Sequence, residues 1–460
     1  MKIEKLRPEG GHPVDFGAFL DVDEARHRVR VRRDALTDPR VFDLEMRYIF
    51  EGGWVYLAHE SQLPKPHDFY TDWMGRQPVI VYRDGAGAIK VFLNACSHRG
   101  TTLCRTRQGN RKGFACTYHG WVFDDDGRLQ FVPRREEGYP ADFSLDDYPL
   151  TKVARVETYG GFVFASLNPD VAPLAEHLGD LLEVIDMLND QASGGFEVVK
   201  GFNTCTYRGN WKLLMENGSG DGLHLPYTHK TLMQVVHRRM QDAAAAQGAG
   251  VEMVRLDKAN DADNVGAIYG MGNGHTLIQS DIPNPASRPS YAHHAQYVER
   301  YGEARARWMT SKLRQVCVYP NLFIIDQLAS LIRHVRPISV DRTEVRYFCI
   351  APVGEAREHR IKRMRQFMDF FSVAGLGGPD DNHEFEQCQV GAMATGANWN
   401  DASFGHHTAF KGQDDESRAV DVRTLHGGQF GYEGNCLEQY RQWVHLMNQG
   451  QAQDLAGAGA

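Results

Sequence analysis

The chain has 460 residues, 42% hydrophobic and 24% charged, and its acidic residues exceed the basic ones by 59 − 51 = 8. Those proportions exclude a disordered, collagen-like or coiled-coil chain. The negative balance gives no reason to expect nucleic-acid binding, and no apolar run reaches the roughly 18 residues of a membrane helix. Single cores stop growing at roughly 250–300 residues, so two domains, or one large domain with an insert, are expected. The first ten residues, MKIEKLRPEG, lack the apolar stretch of a secretory signal, which makes the cytoplasm the expected compartment. The eight cysteines are too few for a disulfide scaffold and are expected to be reduced.

The first 50 residues read as helical, most clearly over 40–50, where Phe42, Met46, Ile49 and Phe50 fall at helical spacing before Gly52-Gly53. A basic run from Arg28 to Arg33 reads as a solvated face, or as a docking patch for an acidic redox partner. From 53 to 169 the texture is that of short strands, at 54–57, 78–82, 89–93 and 160–167, with turns at Asp84–Gly87 and Asp124–Arg128. Gly85 and Gly87 precede no helix, which argues against a phosphate loop. Beyond that the chain mixes elements. Leu174–Leu188 reads as one amphipathic helix, and 241–300, rich in Ala, Gly, Asn and Asp, as a long loop or lid. Strands are expected near 322–325, 331–335 and 345–350, a basic helix over 358–371, and a disordered tail from 450 to 460.

Two constellations carry chemistry. In the first, Cys96-Ser97-His98 and Cys116-Thr117-Tyr118-His119 each pair a thiolate with an imidazole. Two Cys and two His can hold a structural zinc, or a two-iron, two-sulfur cluster with cysteines on one iron and histidines on the other. Mixed pairs on tight loops, each closed by a glycine (Gly100, Gly120), favour the cluster. Cys104 has no partner there and reads as structural.

In the second, His224 and His229 follow Gly218, Gly220, Asp221 and Gly222. Positions five apart lie roughly 140° apart on a regular helix, so a shared metal requires a wider turn or a loop. A carboxylate would complete the facial triad that holds non-haem Fe(II) with open positions for oxygen. The best remote candidate is Gly377-Gly378-Pro379-Asp380-Asp381, opening a helix whose dipole favours an anion. Side chains of Asp380 and Asp381 point about 100° apart, so only one can face the histidines.

Taken in order, Cys-x-His, Cys-x-x-His, Asn210-Trp211-Lys212, Glu216-Asn217 and Asp221-x-x-His224-x-x-x-x-His229 resemble the large catalytic subunit of the Rieske non-haem iron ring-hydroxylating oxygenases, over roughly residues 35 to 445. Thr37–Met46, Phe50–Ser61, Asn94–Gly100, Pro379-Asp380-Asp381 and Cys388-Gln389 are most similar to the benzoate, halobenzoate and anthranilate dioxygenases.

The resemblance implies an α+β chain: an all-β Rieske [2Fe-2S] domain (52–169) inserted in a catalytic domain (1–51 and 170–449) with an antiparallel sheet flanked by helices. It implies that Cys96, His98, Cys116 and His119 hold the cluster. His224, His229 and Asp381 would hold the mononuclear iron, Asp381 being chosen because it stands eight residues before Gln389 as in those relatives (389 − 381 = 8). Asn217 would lie close to the iron, and Asp221 would bridge to His119 of a neighbouring subunit. Trimers with or without small beta subunits, and a flavin iron–sulfur reductase fed by NADH, are the implied partners. The implied reaction uses O2 to dihydroxylate an aromatic acid, giving a cis-dihydrodiol or a derived catechol. Leu223, where many relatives have tyrosine, and the length of Gly218–Asp221 leave a substituted-aromatic or aryloxyacetate monooxygenase as the alternative within the family. A Rieske electron carrier is the alternative from another class.

Overall fold

In the computed structural model of the chain, the described residues are 13–232, 234–235, 238, 266–282, 284–327, 330–370, 372–373, 375 and 377–456. They form two compact units. One is Met46–Leu174; the other joins the chain up to Glu45 to the chain from Ala175 onward. Among the described residues no helix is long and apolar enough to cross a membrane.

The Met46–Leu174 unit is built from antiparallel strands. A four-stranded sheet runs in the order Ile89–Leu93, Gln77–Arg83, Asp68–Met74 and Gln108–Asn110. A three-stranded sheet joins Arg155–Tyr159, Phe162–Ser166 and Val55–His59. Leu129–Phe131, Val122–Phe123 and Phe114–Ala115 form a third. The expected turn at Asp84–Gly87 closes through Gly87 N–H to the Asp84 carbonyl (3.0 Å), and that at Asp124–Arg128 through Gly127 N–H to the Asp124 carbonyl (3.2 Å). Phe69, Ile80, Tyr82, Phe92, Phe114 and Trp121 make a core that also takes in Cys96, Cys104 and Cys116. Buried Asn94 ties this core to the first cysteine loop: its Nδ2 donates to the Cys104 carbonyl (2.7 Å) and its Oδ1 accepts from Leu103 and Cys104 N–H (2.9 and 3.0 Å).

In the other unit, strands and helices are numbered in chain order. A ten-stranded antiparallel sheet comprises β1 (Phe196–Val198), β2 (Asn203–Tyr207), β3 (Gly266–Gly272), β4 (His275–Asp281), β5 (Lys312–Val318), β6 (Leu322–Asp326), β7 (Leu331–Ser339), β8 (Arg342–Pro352), β9 (Phe410–Lys411) and β10 (His426–Gln429). Its order is β1-β8-β7-β6-β5-β4-β3-β10-β9, with β2 also paired to β8. Its helices include α1 (Pro39–Glu45), α2 (Leu181–Asn189), α3 (Trp211–Gly218), α4 (Arg357–Phe370), α5 (Gly378–Ala392) and α6 (Gly434–Ala456). Side chains alternate across β5 and β6. Arg314, Val316, Ile324 and Asp326 meet Val184, Ile185 and Leu188 of α2 on one face. On the other, Phe323 abuts Gly218 of α3, and Cys317 accepts from Gln439 of α6 (3.5 Å).

Four expectations are corrected. Within the first 50 residues α-helix is confined to Asp34–Thr37 and Pro39–Glu45. Leu20–Asp23 and Arg28–Arg32 are strands, and Met46–Glu51 is a π-type turn. The alternation in Arg28-Val29-Arg30-Val31-Arg32 is the period of a strand, and these arginines are neutralised at home: Arg28 and Arg30 pair with Asp21, and Arg32 with Asp34.

The helix expected over 174–188 breaks into Leu174–Leu178 and Leu181–Asn189, because Gly179 takes φ +52°. Of the loop expected over 241–300, residues 241–265 lie outside the described residues. Residues 266–281 form the β3–β4 hairpin, where Ile268, Tyr269, Leu277 and Ile278 are buried and outweigh the glycine-rich composition. The tail expected to be disordered from 450 is instead helix through Ala456, anchored by Gln451, whose side chain accepts from Val14 N–H (2.8 Å) and donates to the Val14 carbonyl (2.9 Å).

Candidate metal centres

The two cysteine–histidine loops have the same internal wiring. Gly100 N–H donates to the Cys96 carbonyl (2.8 Å) and Cys96 N–H to the Thr101 carbonyl (2.9 Å). Gly120 N–H donates to the Cys116 carbonyl (2.9 Å) and Cys116 N–H to the Trp121 carbonyl (2.8 Å). Both glycines sit in the left-handed region, at φ +72° and +71°, which a side chain would strain. Cys96 and Cys116 are each 3% exposed. The rings of His98 and His119 meet at 4.6 Å, and Trp121 stacks on His98 at 4.7 Å.

The Nδ1 atoms of both histidines are buried with no hydrogen-bond partner. Orphaned buried nitrogens beside two buried thiols are what a metal cluster would satisfy. Among the described residues only one other group brings three His, Cys, Asp or Glu donors within 4.8 Å of one another, and these four do not converge so closely. Four donors to a single zinc would; donors shared between two bridged irons need not. Burial pushes the Cys104 thiol up to about 12, in keeping with a structural role.

That converging group is His224, His229 and Asp381. The histidines flank a short helical turn, Leu225–Thr228, so the departure from regular helix at His229 (φ −94°, ψ 21°) replaces the 140° divergence, and the rings lie 5.1 Å apart. Asp381 Oδ1 lies 3.3 Å from His224 Nε2 and 3.1 Å from His229 Nε2. It is buried without an ordinary hydrogen-bond partner, in the first turn of α5. The other ring nitrogens are held from behind. His224 Nδ1 lies 2.6 Å from the Asp221 carbonyl, and His229 Nδ1 lies 3.4 Å from Asp380 Oδ2. This leaves both Nε2 atoms aimed at one point, the arrangement that orients metal-binding imidazoles.

Burial opposes charge on His224, but the Asp221 and Asp381 carboxyls outweigh it and raise the imidazole to about 10. Burial of Asp381 is likewise overcome by His224 and His229, which hold its carboxyl well below the usual range. The pocket is thus built for positive charge at its centre. Asn217, near the end of α3, brings Nδ2 to 3.3 Å from His224 Nε2. Asp221 Oδ1 accepts from Leu223 and His224 N–H (3.1 and 3.2 Å), capping the turn that carries His224.

The Asn210-Trp211-Lys212 motif proves to be scaffolding. Asn210 caps α3 and donates to the Leu36 and Val340 carbonyls, while Trp211, Lys212 and Trp443 all bond the buried Glu45 of α1. Gln389 accepts from Asn210 N–H (2.9 Å), which ties the helix of Asp381 to the helix of Asn217. Two residues have roles here that the sequence did not assign them. Asp380 stands behind His229, and Gln315 on β5 donates to the Gly218 carbonyl. An isolated glutamine in a strand carries no sequence signal.

A β-rich unit with paired Cys-His loops and a sheet-and-helix unit with a two-His, one-carboxylate group define an iron–sulfur oxygenase with a second, mononuclear iron. Comparison with known proteins agrees. Residues 53–157 match the Rieske [2Fe-2S] domain, and residues 196–449 match the ring hydroxylating alpha subunit (catalytic domain). Toluate 1,2-dioxygenase subunit alpha of Pseudomonas putida is 42% identical, covering 94% of this chain and 93% of its own. The 2-halobenzoate 1,2-dioxygenase large subunit of Burkholderia cepacia is 41% identical, covering 93% and 91%. The anthranilate 1,2-dioxygenase large subunit of Acinetobacter baylyi is 40% identical, covering 92% and 90%. Among solved structures, naphthalene 1,2-dioxygenase with indole bound in the active site superposes with a TM-score of 0.80 at 25% identity, over 91% of this chain and 92% of that one.

The chain belongs to the family of ring-hydroxylating oxygenase alpha subunits. It is an oxidoreductase that uses a Rieske [2Fe-2S] cluster and a mononuclear iron, and the two donor sets suit these groups.

Proposed function

We propose that this protein is the terminal oxygenase of a multicomponent system that dihydroxylates an aromatic acid of the benzoate or anthranilate kind. The observation that carries the reading is the convergence of His224, His229 and Asp381 in a chain at least 40% identical to three aromatic-acid dioxygenase subunits. Residues 52–169 are assigned to the cluster-bearing domain, and 1–51 with 170–449 to the iron-bearing one. Cys96, His98, Cys116 and His119 are assigned to the cluster, and His224, His229 and Asp381 to the iron. When bound, these groups supply one-electron relay and a Lewis-acidic centre with open positions for O2.

The chain's own residues do the rest. Asp381 contributes the one carboxylate of the converging donor set. Asp380 and the Asp221 carbonyl fix the two imidazoles, and Asn217 holds a polar group against His224. Asp221 has a second task in this reading. Its side chain is partly exposed, and Nδ1 is the buried ring nitrogen of His119. The Asp221 carboxylate accepts from His119 of an adjacent subunit in a trimer, completing the electron path.

The partners of this reading are a small beta subunit (or an alpha trimer alone), a flavin iron–sulfur reductase supplied with NADH, and a cytoplasmic setting. A panel of aromatic acids, neutral aromatics and aryloxyacetates, assayed with a compatible reductase, tests it. Dihydrodiol or catechol from the acids supports the substrate class; turnover of the other groups alone overturns it. Asp221→Asn should keep both metal centres and nearly stop turnover, with a cluster that reduces but is not reoxidised. Near-normal turnover, or loss of the mononuclear iron, would refute the bridge.

A further inference from the structure

A cavity of about 470 Å³ opens in the sheet-and-helix unit, and none of the residues placed at the iron site lines it. It lies between the residues that follow α2, the first turns of α4 and the short helix His294–Tyr301. His293, Gln296, Tyr297 and Arg300 fall at i, i+3, i+4 and i+7, one helix face. His359 and Arg363, four apart on α4, line it as well. The floor is buried and its polar groups are satisfied. Tyr297 donates to the Gln191 carbonyl (2.7 Å), Ser290 to the Gln327 side chain (2.6 Å), and Arg363 grips Glu355 as a fork (2.7 and 3.2 Å). Glu355 is thus compensated, and Asp190 is compensated by Arg305 at 2.8 Å. The rim carries the surplus. Exposed Arg300 makes no ion pair among the described residues, and its guanidinium lies over the Tyr301 ring at 4.9 Å. Exposed His293 makes none either; its ring meets Tyr297 at 6.1 Å and stands edge-on to His359 at 6.5 Å. The carboxylate nearest His359, that of Glu358 at 4.0 Å, is 83% exposed.

We propose that this cavity is a second, non-catalytic binding site, and that its ligand is a small aromatic carboxylate. One free guanidinium and two imidazoles over a compensated floor favour an anion, and the planar guanidinium matches a carboxylate in two parallel bonds. The space lies within the roughly 300–1,000 Å³ of small-molecule sites, more than a bare inorganic anion fills. Pro289, Tyr297, Pro352 and Val353 give the remainder of the wall an apolar character. Tyr297 and the edge-on imidazole pair offer flat partners to a ring. The carboxylate goes to Arg300 at the rim and the ring goes inward against Tyr297.

The test is equilibrium dialysis of radiolabelled benzoate against the iron- and cluster-loaded protein, counting benzoate bound per chain. Arg300→Gln should weaken one equivalent by about 10- to 100-fold, the scale of a hydrogen bond to a charged group, and Arg300→Glu should weaken it at least as much, by repulsion. If the iron pocket also takes benzoate, wild type binds two per chain and the variants keep one. If the aromatic-acid reading fails, wild type binds one and the variants none, so the two readings stand or fall separately. Equal stoichiometry and affinity in wild type and variants would overturn the site. Displacement of the Arg300-dependent equivalent by acetate or inorganic phosphate at the concentration of benzoate would overturn the aromatic ligand, and equal displacement by benzyl alcohol would overturn the need for charge. Iron content and cluster absorption should match the wild type in both variants; their loss would make Arg300 part of the scaffold and refute the proposal.

Discussion

Asp380 and Asp381 are neighbours with opposite surroundings. Asp381 is 7% exposed and directs one oxygen at both Nε2 atoms; Asp380 is far more exposed and stands behind His229. The divergence follows from the roughly 100° step between adjacent helical residues. Asp381→Ala should lose the mononuclear iron and all turnover while keeping the Rieske spectrum. Asp380→Ala should keep iron but bind it about 10- to 100-fold more weakly, the usual cost of losing a group that orients a metal ligand. Metal analysis and iron titration of the two variants check this, and the reverse pattern would reassign the third ligand.

Helix α3 does two things at once. Its first turn is bolted to α1 and α6 through Glu45, and its last turn presents Asn217 and Gly218 to the iron site. Between them Glu216 accepts from Tyr440 of α6 at 2.5 Å. Burial raises its carboxyl to about 7, against the Tyr440 bond and Lys212 and assisted by Glu433 and Asp221. A carboxyl whose folded pKa lies above its unfolded value binds an extra proton in the folded state, so its contribution to stability is present at low pH and lost as pH rises toward about 7. Glu216→Gln should therefore be more stable than wild type at pH 8 by about 1–3 kcal/mol, and the advantage should vanish below the ordinary glutamate pKa. Denaturation midpoints of both proteins at pH 8 and at pH 4 measure the difference; an equal gain at the two values would show that the effect is not this titration.

At the scale of the molecule, the two donor sets share no residue and lie in different compact units, each with its own core. Cys96→Ala should accordingly abolish the visible cluster absorption and leave mononuclear iron at His224, His229 and Asp381. Loss of both metals together would show that the two units depend on one another to fold. The Asn94 bonds that pin the first cysteine loop make local collapse of that loop the expected limit of the damage.

Read by itself, the sequence determined the donor types of both candidate centres, thiol with imidazole in one and imidazole with carboxylate in the other. Thiols and imidazoles at short spacing declare themselves, because a loop closed by Gly100 or Gly120 forms from local bonds alone. Strand and turn signals were equally legible at 78–82, 89–93 and 124–128, where runs rich in β-branched and aromatic residues meet turn residues. The tertiary structure decided the rest. Composition pointed to a loop where the β3–β4 hairpin lies and to a frayed tail where α6 continues, since burial on a sheet and the distant anchor at Val14 lie beyond any local window. The carboxylate that faces the histidines is 152 residues from His229 (381 − 229 = 152). Gln315 faces the iron-site helix because of the parity of a strand whose partners, β4 and β6, are set by non-local pairing. A side chain's direction on a sheet is fixed by register, and register is a property of the assembled sheet.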